Sequence, residues 1–343
     1  MVLSLGNTVI GCPRFKSSAD CFPGRNYQSN VSNAQKTIMM AANTAEEKMT
    51  TFKDRVSFSA IIDRPKLQLP DGARMAVWTI VNVENWDSTK AQPRTVLPPP
   101  MGKPLLPDLP NWSWHEYGMR VGFWRIHELL TGLGVTPTLA LNGIVCDNYP
   151  RIADAAKDAE WEFMGHGFVQ GPMHHLDDQR DAIRRTMEAI EKFAGKPPRG
   201  WESPGLTETE DTIDILAEEG IEYVADWVLD DQPCRIDTKS GSMISVPYSV
   251  ETNDIPIFSL QNRPSDDMLK RTVDQFDQLY TESETITRVM AISMHPYLSG
   301  VPHRIGYLKQ IYEHIQDRPG VVMMTGEEIL DWYLGEEKRL ASS

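Results

Sequence analysis

The sequence predicts an α/β fold in which parallel strands, each followed by a helix, curl into a distorted (β/α) barrel. Short apolar runs alternate with amphipathic stretches from about Arg74 to Met324, the pattern of parallel strands covered by helices. Reactive polar residues follow several of those runs: Glu84, His166, Asp226 and His295. Barrels carry their chemistry on the loops at the C-terminal ends of their strands. A doubly wound open sheet also alternates, but it concentrates its chemistry at one switch point. Neither GxGxxG nor GxxxxGK[ST] stands where a strand meets a helix, so no phosphate-cradling loop is expected.

Taken in order, residues 1–54 are rich in Ser, Asn, Thr and Gly and lack apolar periodicity. They read as a disordered or extended tail, and residues 55–340 as the barrel domain. Met75–Val83 is a continuous apolar strand. A Pro-rich loop from Pro93 to Pro110 follows, and a loop of that length is expected to cap or line a site. The helix over Arg120–Leu133 puts Phe123, Ile126, Leu130 and Leu133 on one stripe and stops at Gly134. Strands are expected at Val135–Leu141, Trp161–Met164, around Trp201, and at Ile221–Ala225, Val289–Met294 and Val321–Met324. Helices are expected at Pro150–Lys157, Asp177–Ala194, Met268–Tyr280 and Ile305–Ile315. Another helix starts at a capping box of Thr207 and Glu210 and runs to Gly220.

Composition narrows the function classes. A net charge of −14 opposes phosphate-backbone binding, which needs clustered Lys and Arg. No apolar run is long enough to span a membrane. The start does not resemble a signal peptide, and the four cysteines are scattered without a CxxC pair. A cytoplasmic protein acting on a small molecule is expected. Self-association is expected too, since the long loops offer apolar contact surface.

Four segments then stand together: Asn82-Val83-Glu84, Gly165-His166-Gly167, Arg199-Gly200-Trp201-Glu202-Ser203-Pro204 and Met294-His295-Pro296. In this order the chain resembles the polysaccharide deacetylase superfamily, with its NodB-type barrel. Glu116–Arg125, Asp230-Asp231-Gln232-Pro233 and Val246–Asp254 resemble its allantoinase and cyclic-imidase branch. The resemblance implies two aspartates in the first motif, a base and a metal ligand, and a His-x-x-x-His pair. Here these places read Asn82 and Glu84, and His166 and Gln170. Asparagine cannot act as a base at neutral pH, and glutamine is a poor zinc ligand. The implied cofactor is a weakly bound divalent metal such as zinc, held by Glu84 and His166 with Gln170 or His174 as an open third ligand, or none.

The chemistry expected is hydrolysis of a carbon–nitrogen bond that opens a small cyclic amide, ureide or imide. Glu84 would orient or deprotonate water, His166 would hydrogen-bond it, and His295 would protonate the leaving nitrogen. Asn82, Trp201, Glu202, Asp230 and Asp231 are the candidate substrate contacts. The alternatives are N-deacetylation of an amino sugar or polysaccharide, and a barrel that binds a small molecule without turning it over.

Overall fold

Nine consecutive buried residues make β1 (Met75–Val83) the axis of the fold. The computed structural model describes residues 51–103 and 105–342, so the tail expected over residues 1–54 lies outside the described residues as far as residue 50. In parallel register beyond one edge of β1 come β2 (Thr138–Leu141), β3 (Glu162–Gly165), β4 (Gly200–Trp201) and β5 (Tyr223–Val224). A hairpin of β6 (Cys234–Thr238) and β7 (Gly241–Ser245) continues the sheet, with β7 parallel to β5. On the other edge of β1 runs β8 (Arg288–Met294), while β9 (Val321–Met323) pairs with Met75–Val77 of β1 on the edge that β2 takes further along.

The sheet curls without a continuous closing ladder. Two backbone hydrogen bonds bridge the open side, from Val289 N–H to Asp231 O (2.8 Å) and from Ser293 N–H to Thr252 O (3.1 Å). The expected barrel is therefore a curled half-barrel, distorted where β8 meets loop instead of strand.

Helices α1 (Leu109–Tyr117), α2 (Phe123–Gly132), α3 (Val145–Asn148), α4 (Pro150–Asp158), α5 (Gln179–Ala194), α6 (Thr212–Glu218), α7 (Asp267–Glu282), α8 (Ile305–Gln316) and α9 (Gly326–Ala341) follow the strands. The amphipathic spacing works as expected in α5, which buries Ile183 and Ile190 and ends on Gly195 at φ 85°. None of the described helices is long and apolar enough to cross a membrane.

Period-2 alternation divides β1 between two cores. Val77, Val81 and Val83 face the helices with Phe123, Ile126 and Tyr312. Ala76, Trp78 and Ile80 face inward with Met164, Tyr223 and Ala291. The same parity carries Asn82 and Glu84 to the inside. Below them α9 plugs the barrel with Ile329 and Leu330, and its first turn is tied to Glu162 by the Glu327 N–H (3.1 Å).

Several elements depart from expectation. The capping box belongs to α9, between Thr325 and Glu328, not to Thr207 and Glu210. Thr207 instead donates its hydroxyl to Pro204 O and accepts the Met173 N–H, holding a loop, and α6 begins only at Thr212. The β6–β7 hairpin is an addition to the expected elements, because its strands expose their outer residues and carry little apolar signal. The helix expected from Arg120 is preceded by a π-helical turn, Gly118–Gly122, continuous with α1.

That turn has a packing reason. A Cβ on Gly118 would lie 2.6 Å from the Tyr297 nitrogen, and one on Gly122 would collide with Pro296 O. The helix backbone thus rests directly on the segment after β8. Gly122→Ala is expected to cost about 1–3 kcal/mol of stability, as overpacked positions do. A lowered urea midpoint at unchanged slope would show it.

Candidate active site

Strand register brings the reactive residues to one level. Val83, Leu141, Gly165, Trp201 and Val224 are successive cross-strand partners. The next residue on each strand continues the ladder: Asn142 N–H bonds to Val83 O, His166 N–H to Leu141 O, and Glu202 N–H to Gly165 O. Glu84, Asn142, His166 and Glu202 therefore form one layer, and His295 ends β8 beside them.

Glu84 is the centre of this layer. Trp86 Nε1 donates to its Oε2 (3.1 Å) and Gln170 Nε2 to its Oε1 (2.7 Å). His166 Nε2 and His295 Nε2 lie 3.4 and 3.5 Å from Oε1. Burial opposes its charge, but the two imidazoles outweigh burial and hold the carboxyl well below the usual range. Glu84 stays ionised.

The orientation of Gln170 follows from its neighbours. The Asn85 N–H requires an acceptor and takes Asn142 Oδ1 (2.7 Å). Asn142 Nδ2 must then face Gln170 Oε1 (3.1 Å) and His166 O. Gln170 is left to present N–H to Glu84. A metal in the family's manner would need an acceptor there, and the amide supplies a donor. His174 lies exposed in the turn Met173–His175. Among the described residues no group of three His, Cys, Asp or Glu side chains is arranged to hold a metal ion. The residues present do not fit the zinc triad that the resemblance implies.

His295 has a partner on each side. Its Nδ1 lies 2.7 Å from Asp254 Oδ1, and Asp254 Oδ2 accepts its backbone N–H (2.8 Å) and the Ser299 hydroxyl (2.6 Å). Burial works against the imidazolium, but Asp254 and Glu84 prevail and raise it to about 10. His166 Nδ1 donates to Glu202 O (2.7 Å), since a carbonyl can only accept, which leaves Nε2 turned to Glu84. Burial opposes its charge too, and the Glu84 and Glu202 carboxylates raise it despite that.

Glu202 is buried and pushed up to about 7 by that burial. Asn82 Nδ2 donates to Ser293 Oγ (2.9 Å), Ser293 pairs with the Tyr248 hydroxyl (2.7 Å), and Tyr248 Oη reaches Glu202 Oε1 (3.3 Å). Glu202 Oε2 has no partner among the described residues.

Glu84, His166, Gln170, Glu202, Tyr248, Asn253 and His295 line one cavity of about 350 Å³, with Trp86 and Pro204 among its apolar walls. The structure thus gathers the three expected catalytic residues, and Glu202 with them. His166 is only 1% exposed, so its ring closes the cavity base and does not stand open at a strand mouth. Its flanking glycines serve packing: a Cβ on Gly165 would lie 2.6 Å from the Trp201 ring, and one on Gly167 would lie 2.9 Å from Pro204.

Other candidates lie elsewhere. Asp231 meets the start of β8 through Val289, about 20 Å of strand from His295. Asp230 beside it is bound by Arg64 (2.6 Å). Both belong to the opposite end of the barrel, because the loop holding them closes the ring there. Trp201 is a core residue packed with Met173, Ile183 and Ile213, its ring turned away by the parity that turns Glu202 inward. Asn82 sits beneath the cavity floor and is not among its lining residues. Asp254, which reads as a turn residue, proves to be the partner of His295. Asn142 carries no signal, being an asparagine that merely follows a strand.

A half-barrel whose strand ends gather an acid and two imidazoles in a small cavity defines a NodB-type α/β protein. Comparison with known proteins agrees. Residues 115–224 match the polysaccharide deacetylase family model. A Schizosaccharomyces pombe protein named "Putative polysaccharide deacetylase" is 29% identical over 242 residues, 63% of this chain and 74% of that one. A Helicobacter pylori peptidoglycan deacetylase is 24% identical over 253 residues, 64% of this chain and 86% of the other. Among solved structures, a "probable Polysaccharide deacetylase" from Pseudomonas aeruginosa PAO1 is similar at TM-score 0.72 and 24% identity, covering 82% of this chain and 99% of that one. The Puue allantoinase follows at TM-score 0.71 and 23% identity, covering 82% and 98%. These two likenesses establish the fold.

The His295 pair makes a pH dependence. A proton held to about pH 10 stabilises the folded state fully below the ordinary histidine value of about 6.5 and is lost as pH rises through the folded value. Any activity that uses this proton should persist to alkaline pH and fall near 10. Asp254→Asn should move that limb toward neutrality and lower the rate about a hundredfold or more; a pH–rate profile of both forms checks it.

Proposed function

We propose that this cavity hydrolyses a carbon–nitrogen amide bond of a small substrate. The observation that carries the proposal is the convergence of Glu84, His166 and His295, with both imidazole Nε2 atoms within 3.5 Å of one carboxylate oxygen. Amide hydrolysis needs a positioned water, a stabilised oxyanion and a protonated leaving nitrogen. Glu84, the ionised acceptor of the layer, is placed to hold the water and take up its proton, with His166 Nε2 beside it to orient the water. His295, kept charged by Asp254, is the donor for the leaving nitrogen. Tyr248, and Glu202 in its protonated form, can donate to the developing oxyanion.

The family match and the two curated relatives support removal of an acyl group from an N-acetylated amine as the bond cleaved. A second reading, opening of a cyclic ureide or imide, is favoured by the polarity of Gln170. With an amide donor facing Glu84 and no carboxylate at Asn82, the site suits a leaving nitrogen that is already conjugated to a second carbonyl. The proposal includes a cytoplasmic, self-associating enzyme without a nucleic-acid or membrane partner, in keeping with the net charge of −14.

Purified protein incubated with N-acetylated amino sugars on one side, and hydantoins, imides and allantoin on the other, should release acetate or open a ring. Glu84→Gln should lower that turnover by about a hundredfold or more. No turnover of either set, with or without added Zn²⁺ or Mn²⁺, would overturn the proposal.

A further inference from the structure

Every charged group at the floor of the cavity has a counter-charge in the protein. His166 faces Glu84, and His295 lies between Glu84 and Asp254. The wall holds one cation that does not. Arg94 lines the cavity beside Trp86 and Pro93 and is half-buried. Among the described residues it makes no hydrogen bond and no ion pair.

An unpaired arginine on a surface is ordinary, but this one stands in a built frame. On one side, Gln92 is buried, and its Nε2 donates to Asp87 O and Lys90 O, both at 3.0 Å. On the other, Asn111 Oδ1 accepts the Val96 and Leu97 N–H groups (2.8 and 3.0 Å), and its Nδ2 donates to Leu97 O (2.9 Å). Asp108 anchors Asn111 in turn (2.9 Å). Two buried amides thus pin the chain on either side of Arg94, in the Pro-rich segment. A solvated side chain has no use for such a frame; one that must reach a ligand at fixed distance does.

We propose that Arg94 receives a carboxylate of the substrate, so that the amide hydrolysed here belongs to a small anionic molecule. The planar guanidinium fork matches a carboxylate in two parallel hydrogen bonds. Trp86, Pro93 and Leu206 line the same cavity, and their apolar surface lowers the local polarity in which the pair forms. A volume of about 350 Å³ admits a compact acid. A neutral amide in the same place would forgo the charge-assisted pair.

The inference rests on the amide-hydrolase reading, and the test separates the two. Matched pairs are compared that differ only in charge: N-acetylglycine with its carboxamide, and hydantoin-5-acetic acid with its carboxamide. Hydrolysis and calorimetric binding are both measured on the full chain. The wild-type protein should favour the carboxylate member by about tenfold to a hundredfold, the scale of a hydrogen bond to a charged group. Arg94→Ala should abolish that preference, weakening the carboxylate member far more than the neutral one, and Arg94→Lys should restore part of it. Thermal melts of both variants guard against misfolding. Preferential binding of the carboxylates without turnover would retain Arg94 and remove amide hydrolysis. Turnover or binding without preference, equal losses on both members, or no binding of any member would overturn the role of Arg94.

Discussion

A single buried anion organises this molecule's rim. Glu84 sits where Trp86 and Gln170 direct N–H groups at it from the side and two imidazoles approach it from other strands. An isolated carboxylate in such a place would pick up a proton. Here the surrounding donors and the imidazoles keep it ionised, and it in turn raises both imidazoles. The charges are mutually dependent, so each member holds the protonation state of the others.

That dependence is possible because the strands end together. A shift of one residue in any pairing would turn the inward side chain out. Glu84, His166, Glu202 and His295 all belong to the inward parity of their strands, as do Trp78, Ala140, Met164 and Ala291 deeper in the barrel. The register that packs the interior is the register that assembles the site. The half-barrel's incomplete closure matters as well. Where β8 lacks a neighbouring strand, the loop through Thr252, Asn253 and Asp254 takes its place and delivers the carboxylate that orients His295.

The amides mark the departure from a metal-centred arrangement. Asn142 and Gln170 form a polarised chain beginning at the Asn85 N–H, and its last donor points at Glu84. Asn82, Ser293 and Tyr248 form a second chain ending on Glu202. Neither chain supplies a second imidazole where the family's metal triad would place one. Both fix proton positions, which is what a site working through hydrogen bonds and imidazole charge requires.

Much of this is legible in the chain itself. Strand–helix alternation, the apolar run of β1, and Gly195 and Gly220 as helix stops are local signals, set by dihedral preference and periodicity. Glu84, His166 and His295 stand out because each follows an apolar run directly. The hairpin after Asp231 escapes such signals because its outer face is polar, and Thr207 mimics a helix cap because its tertiary use is invisible in its neighbours. What local signals cannot carry is pairing across distance. The amino-acid sequence by itself determined which residues end the strands and that three of them are reactive. Only the tertiary structure decided that Asp230 and Asp231 close the far end, that Trp201 is core, that Asp254 serves His295, and that Gln170 donates. Each of those depends on register and on the partner found across the fold, and neither is encoded within any one segment.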